Sequence, residues 1–245
     1  MKEHTNKISV CIACYNGEKY IKEQLESILL QLKENDEIIV SDDDSNDNTL
    51  NIIEQFADSR IIVVKNNYIK GVNHNFENAL KKATGDYIFL CDQDDVWLPN
   101  KIEICVLELL KFDLVVSNCS VVDKDMNILN QSYFEIAKSG KGFFKNFYKS
   151  TYLGCCLAFK KEILKDILPI PNNLLLFHDW WFGFIAELCF KVKFIEIPCM
   201  YYRRHSETSS NTMSKSHLSL YNKIRYRLQI LYYGLIRIYE IKLNR

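Results

Sequence analysis

The sequence has no surplus of either charge: 31 Lys and Arg stand against 31 Asp and Glu, a formal net charge of zero. That removes any whole-molecule electrostatic case for nucleic acid or an acidic polymer as partner. The opening stretch "MKEHTNKISV" lacks an apolar h-region and passes straight into a strand-like pattern. The expectation is therefore a cytoplasmic chain without a secretion signal. Nor does any uncharged apolar run approach the ~20 residues of a membrane-spanning helix. No G-x-G-x-x-G follows the first strand, and no G-x-x-x-x-G-K-[ST] occurs anywhere. A dinucleotide site or a P-loop built from backbone N–H groups is thus disfavoured. Cysteine is not scarce, but its usage is plain. The nine are odd in number, and Cys11, Cys91, Cys119, Cys156 and Cys189 sit inside apolar runs, so reduced thiols acting as small hydrophobes are expected. Cys11 and Cys14 form a single C-x-x-C with no second pair at zinc spacing, on a strand that would turn them to opposite faces.

With 245 residues, 48% of them hydrophobic and 25% charged, the chain can bury one large core or two small ones. "ISVCIAC" (8–14), "EIIVS" (37–41), "RIIVVK" (60–65) and "DYIFLC" (86–91) read as strands. Between them, Ile21, Leu25, Ile28, Leu29 and Leu32 recur at helical spacing, Thr49 precedes Leu50, Ile53 and Phe56, and "NFENALKKA" (75–83) ends at Gly85. Continuous apolar strands alternating with amphipathic helices predict an α/β fold, a mostly parallel sheet covered on both faces. We expect residues 1–112 to form a ligand-binding half and 113–212 a second half of the same domain. Residues 213–245 would form a basic amphipathic helix.

Ligands of such sheets bind beyond the carboxyl ends of the strands. This chain places Tyr15 and Asn16 after its first strand, Asp42, Asp43 and Asp44 after its second, and Asp92, Asp94 and Asp95 after its fourth. Clustered carboxylates raise one another's pKa unless a cation intervenes, and hard oxygen ligands suit Mg²⁺ or Mn²⁺, which in turn bridge phosphate oxygens. The bland alternative is that Asp and Asn favour turns after strands. A calcium loop counted from Asp43 to Glu54 is weaker, because Asn48 stands where that loop needs glycine and a strand precedes it.

"VCIACYNGEKYI", "IIVSDDDSNDNT", "GDYIFLCDQDDVW" and "HDWW", in that order, resemble the successive motifs of family-two glycosyltransferases, over residues 8–205. "DQDDVW" with "HDWW" is closest to the rhamnosyltransferase-like branch. The resemblance implies a GT-A fold and an inverting transfer from a nucleotide-diphosphate sugar to a glycan or lipid-linked saccharide of the bacterial cell surface. dTDP-rhamnose is the first choice of donor and a UDP-hexose the second. It further implies that Ala13 and Tyr15 border the base and that Asp42 accepts a hydrogen bond from it. Asn16, Glu18, Asn75 and Gln93 would belong to the donor site. Asp92 and Asp94 would form the D-x-D pair, with Asp94 the direct ligand of a divalent Mn²⁺ or Mg²⁺ and Asp92 nearer the ribose or a metal-bound water, or itself a metal ligand. The family usually has glycine where this chain has Asp44, a residue that tolerates a left-handed backbone. Asp95 is left open between third ligand, sugar contact and turn cap.

In the second half, "DLVVSNCSVV" (113–122) continues the sheet, 123–150 is a polar, Lys-rich acceptor region, and "LGCCLAFKKEIL" is a strand leading into a helix. Asp179 opens a helix among Phe177, Trp180, Trp181 and Phe182. Either it caps that helix or, as the resemblance implies, it is the general base beside a tryptophan wall. "YYRRHSETSSN" (201–211) would bring His205 to the metal or diphosphate with Arg203 assisting, or else be a solvated basic turn. His74 and His178 read as structural. From Tyr221 to Arg245 six Lys or Arg face one Glu, and Ile224, Leu228, Leu231, Leu235 and Ile238 recur at helical spacing. The 215–245 stretch is thus a core or dimer helix, or a peripheral membrane helix. A nucleotidyltransferase and a non-catalytic sugar-binding module are the competing classes. The first would want a glycine-rich basic loop near strand one, and the second would not need Asp179.

Overall fold

The computed structural model describes residues 6–205 and 219–244. The expected basic turn beyond His205 and the start of the 213–245 segment lie outside the described residues.

The first half alternates as its periodicity predicts: β1 (Ile8–Cys14), α1 (Ile21–Leu29), β2 (Glu37–Asp42), α2 (Thr49–Glu54), β3 (Ile61–Lys65), α3 (Val72–Leu80) and β4 (Tyr87–Asp92). Strands β3, β2, β1 and β4 lie side by side and parallel in that order. On α1, Ile21, Leu25 and Ile28 are buried at four- and three-residue spacing, each contributing about 1.5–3 kcal/mol. Helix α3 begins three residues before the expected start, behind Gly71 at φ 114°. Strand β3 is an edge with much of its surface exposed.

The rest comprises β5 (Val96–Trp97), α4 (Lys101–Leu109), β6 (Leu114–Val122), β7 (Ile128–Asn130), α5 (Tyr133–Ala137), α6 (Phe143–Tyr148), β8 (Leu157–Lys160), α7 (Leu164–Ile167), α8 (His178–Cys189), β9 (Val192–Arg203) and α9 (Leu220–Leu243). A one-turn 3-10 helix, Gly154–Cys156, precedes β8. Strand β6 joins the same sheet, but not beside β4: β8 inserts between them, antiparallel to both. Strand β9 then runs parallel to β6. The segment 123–150 is also more ordered than its polarity suggests, because Tyr133 and Phe134 of α5 are buried in the core. Helices α6 and α9 both pack on α8. All nine cysteines are free thiols.

Candidate active site

Parallel register brings the first two acidic clusters to one edge. Cys14 of β1 pairs with Asp42 of β2, and Ala13 with Asp92 of β4, so the two carboxylates flank the end of β1.

Around Asp42 the hydrogen bonds close on themselves. Its carboxylate accepts the backbone N–H of Asp44 and of Ser45, each at 3.1 Å, and the Ser45 hydroxyl. Asp43 accepts the Asn66 amide and the Gly71 N–H, both at 2.8 Å. Asp44 has φ 75°, a left-handed turn, and its exposed carboxylate meets Lys65 at 2.9 Å. The loop after β1 is laced to this turn. Asn16, itself at φ 49°, accepts the Asn46 N–H at 2.9 Å, and the Glu18 carboxylate accepts that of Asn48 at 3.0 Å. Asp47 accepts the backbone N–H groups of Glu18 and Thr49. The Asp43 and Asp47 oxygens that a calcium loop would need are therefore already engaged.

Gln93 clasps the Tyr15 backbone reciprocally, accepting its N–H at 2.8 Å and donating to its carbonyl at 3.0 Å. The Tyr15 ring, 53% exposed, is left at the surface of the edge. Ala13 is half-buried beside it. Asn75 donates to the Cys14 carbonyl at 3.0 Å, and its buried side-chain oxygen has no partner.

At the third cluster the accounts do not close. Asp94 Oδ2 lies 2.8 Å from His205 Nε2, and the imidazole packs on Tyr20 with ring centroids 4.7 Å apart. Asp95, whose role the sequence left open, is fully buried: Oδ1 accepts the Arg203 N–H at 3.0 Å and Oδ2 has no partner. Oxygens of Asp92 and Asp95 and the sulfur of Cys155 lie within 4.8 Å of one another, the one such cluster among the described residues. Burial first, then the neighbouring Asp94 and Asp179 charges, push Asp92 up to about 7. Burial and the charges of Asp94 and Asp92 push Asp95 well above the ordinary carboxylate range.

The opposite edge of the sheet provides a control. There Glu37 is desolvated too, yet bonds from Lys7, Ser9 and Thr84 hold it down to about 2. A buried acid at the amino end of the strands is fully partnered. At the carboxyl end, where ligands bind, it is not. Perturbed, under-partnered acids in one place are what a functional site requires, and a divalent cation would supply the charge that suits them.

Asp179 opens α8 as expected. It accepts the Trp180 N–H at 2.7 Å and a hydrogen bond from the Gly154 backbone, while burial pushes it up to about 7. His178 is buried and neutral, held down to about 3 by desolvation, with its ring on Phe76 at 4.3 Å. One expectation needs correction. Trp181 is not part of a sugar-binding wall: it is wholly buried and donates its indole N–H to the Ile167 carbonyl at 2.8 Å. Only Trp180 and Phe177 keep exposed surface beside Asp179. Arg203, expected to assist at the diphosphate, is engaged within the protein. At 4% exposure it donates from Nε to the Asp94 carbonyl at 2.8 Å and from Nη1 to the Lys124 carbonyl at 3.1 Å, and it pairs with Glu23 across Tyr20. The cause is geometric: Asp95 fixes the end of β9, which aims this side chain under the acidic loop. Cys155 and Arg203 in their observed roles were not read from sequence; the only signal was the "CC" doublet and an arginine next to a second arginine.

Residues 9–168 match the family model described as Glycosyl transferase family 2. The chain is 32% identical to the dTDP-rhamnosyl transferase RfbG of Shigella flexneri over 208 residues, covering 79% of this chain and 71% of that protein. It is 34% identical over 140 residues to an Escherichia coli protein, the UDP-Glc:alpha-D-GlcNAc-diphosphoundecaprenol beta-1,3-glucosyltransferase WfgD, covering 54% of this chain and 55% of the relative. A second relative is matched over 49% of its length, so the chain spans about half of the first two curated relatives. Among solved structures, S. aureus TarS 1–349 in complex with UDP-GlcNAc superposes with a TM-score of 0.70 at 23% identity, covering 91% of this chain and 66% of that one. That likeness concerns the fold.

Proposed function

The chain belongs to glycosyltransferase family 2, and from that premise we propose that it transfers a sugar from a nucleotide diphosphate to a hydroxyl of a cell-surface glycan under assembly, with inversion. The observation that carries this reading is the gathering of Asp92, Asp94 and Asp95 at one strand end, with Asp92 within electrostatic reach of Asp179. Tyr15 offers its ring to the base and Asp42 borders it, while Asn16, Glu18, Asn75 and Gln93 shape the loops of the donor pocket rather than reaching into it. Asp94, Asp92 and His205 would hold Mn²⁺ or Mg²⁺, which when bound neutralises charge on the departing diphosphate. Arg203 serves here as the brace of that ligand loop.

Asp179 is the base. Its carboxylate takes the proton of the acceptor hydroxyl while that oxygen bonds to the anomeric carbon. The bond to the diphosphate breaks on the opposite face, and its electron pair leaves with the nucleotide. A base poised near neutrality is well matched to this task, and desolvation sets Asp179 at about 7. dTDP-rhamnose is the first donor to try and UDP-glucose the second, each being named for a relative. A lipid-linked saccharide is the acceptor class, which would place the reaction at the cytoplasmic face of the membrane. The test is a thermal-shift panel of UDP-, dTDP- and GDP-sugars with Mn²⁺, followed by turnover of Asp179→Asn with the best donor. We expect turnover down by at least about 100-fold with donor binding retained. Near-wild-type turnover would remove Asp179 as base.

A further inference from the structure

The zero net charge of the chain conceals two acid-free segments. None of residues 136–161 is Asp or Glu, and residues 138–149 hold Lys138, Lys141, Lys145 and Lys149. None of residues 220–239 is acidic either, and these hold Lys223, Arg225, Arg227 and Arg237, the last mostly buried and paired with Glu240. The fold lays the two together: Arg227 donates to the Tyr148 carbonyl at 3.2 Å and its guanidinium sits 4.6 Å from the Tyr148 ring.

Helix α9 buries Ile230, Gly234 and Ile241 against the body; Gly234 is needed because a Cβ there would lie 2.1 Å from Phe184. The opposite ridge carries Tyr221, Leu228, Tyr232, Leu235 and Tyr239, all exposed, at spacings of seven, four, three and four. From Tyr221 to Tyr239 this ridge is roughly 27 Å long, on a helix of 24 residues. Alongside it α6 exposes Phe144 at 84% and Tyr148 at 72%, between exposed Lys141, Lys145 and Lys149.

We propose that α6 and α9 together form a docking face for an anionic phospholipid bilayer. The choice of occupant follows from charge and from tyrosine. A second copy laid on this face would oppose basic residues to basic residues, whereas an anionic headgroup layer complements them. Tyrosines with an apolar ring and a polar tip suit the headgroup level better than a dry helix interface. The helix lies on the membrane and does not cross it, since no helix among the described residues is long and apolar enough to span. Its position also fits a catalytic use. Gln229 accepts the Leu175 N–H at 2.9 Å and donates to the Asn173 carbonyl at 2.6 Å, tying α9 to the segment that runs through exposed Leu175 and Phe177 into Asp179. The bilayer and the base thus share one rigid frame, and a membrane-held acceptor would be presented on that side.

The proposal goes beyond the donor chemistry and is tested without any sugar. The full chain is floated with vesicles of phosphatidylcholine alone or with 30% phosphatidylglycerol (about one lipid in three), beside a Leu228→Glu/Tyr232→Glu double variant and a Lys141→Glu/Lys145→Glu/Lys149→Glu variant. Melting temperature and sizing are recorded for each protein. Wild type is expected to float with the anionic vesicles and to lose at least about tenfold in partitioning on the neutral ones, and each variant to lose a similar factor on anionic vesicles. Wild type that stays with the soluble fraction, or variants that float as it does with unchanged melting temperature, would overturn the proposal. So would a dimer that the α9 variant converts to monomer while neither protein floats, which would assign the face to self-association.

Discussion

Replacing Arg203 by alanine separates a brace from a substrate contact. Two charge-assisted bonds to the Asp94 and Lys124 carbonyls are lost, at about 1.5 kcal/mol each, and the stranded carbonyls pay part of that again when water cannot reach them. The Tyr20 face adds about 0.5–1 kcal/mol. The pair with half-exposed Glu23 adds at most about 0.5 kcal/mol after solvent screening. The sum is about 4 kcal/mol of destabilisation, or roughly 10 °C in melting temperature for a chain of this size. Because the Nε bond holds the peptide of Asp94, whose carboxylate meets His205, Mn²⁺ affinity should also fall by about tenfold or more. Urea titration and Mn²⁺ titration of Arg203→Ala measure the two effects, and Arg203→Lys should lie between because a single ammonium cannot serve both carbonyls. If Arg203→Ala instead melts within about 2 °C of wild type and raises only the donor KM, the guanidinium belongs to the diphosphate and the brace is wrong.

Gly154→Ala should cost turnover more than stability. The new Cβ would lie 2.6 Å from His178 Nε2, and the backbone being displaced is the one that supports the Asp179 carboxylate. Overpacking of this kind costs about 1–3 kcal/mol, and we expect kcat down at least about tenfold with donor KM unchanged; equal kcat would dissociate Gly154 from the base. The metal-free protein should lose stability as pH rises from about 4 to 7. Asp92 and Asp179 bind protons more tightly folded than unfolded, so their contribution is complete below the unfolded value and gone above about 7. Glu37, held down to about 2, acts in the opposite sense but only at more acid pH. Melts in EDTA and in Mn²⁺ at pH 5, 6.5 and 8 check this: the gain from Mn²⁺ should be largest at pH 8, and a pH-independent gain would refute the cation reading of the cluster.

Local periodicity made the parallel half legible, since each strand is a continuous apolar run and each helix repeats every three or four residues. What it did not reveal was pairing. Nothing in the composition of "LGCCLAFK" says that β8 will run antiparallel between β4 and β6, because register is decided by partners many residues away. The same holds for side chains whose partners are distant in sequence. Asp95 and the Arg203 N–H are 108 residues apart, and with that bond unseen Arg203 reads as an exposed cation. Two adjacent tryptophans likewise read as one wall, yet successive helix positions lie about 100° apart, which sends Trp181 into the core and leaves Trp180 at the site.

The two acidic clusters at the sheet edge look alike in sequence and differ in what their oxygens do. In "DDDS" the turn explains most of the acid: Asp42 closes it, Asp43 ties down the β3–α3 connection, and Asp44 adopts the left-handed backbone and pairs with Lys65. A preference of aspartate for turns accounts for nearly all of that, and its weight as evidence for a cation is small. In "DQDD" turn chemistry leaves a remainder. Asp95 has a buried oxygen with no nitrogen or oxygen donor, Asp92 is raised first by burial and then by the Asp94 and Asp179 charges, and a thiol fills the gap between them. Counting acids along one edge therefore overstates the case for a metal by about half, whereas counting unsatisfied oxygens keeps it at one place. The inference to a cation rests on that remainder alone, and the Mn²⁺ melts address it directly.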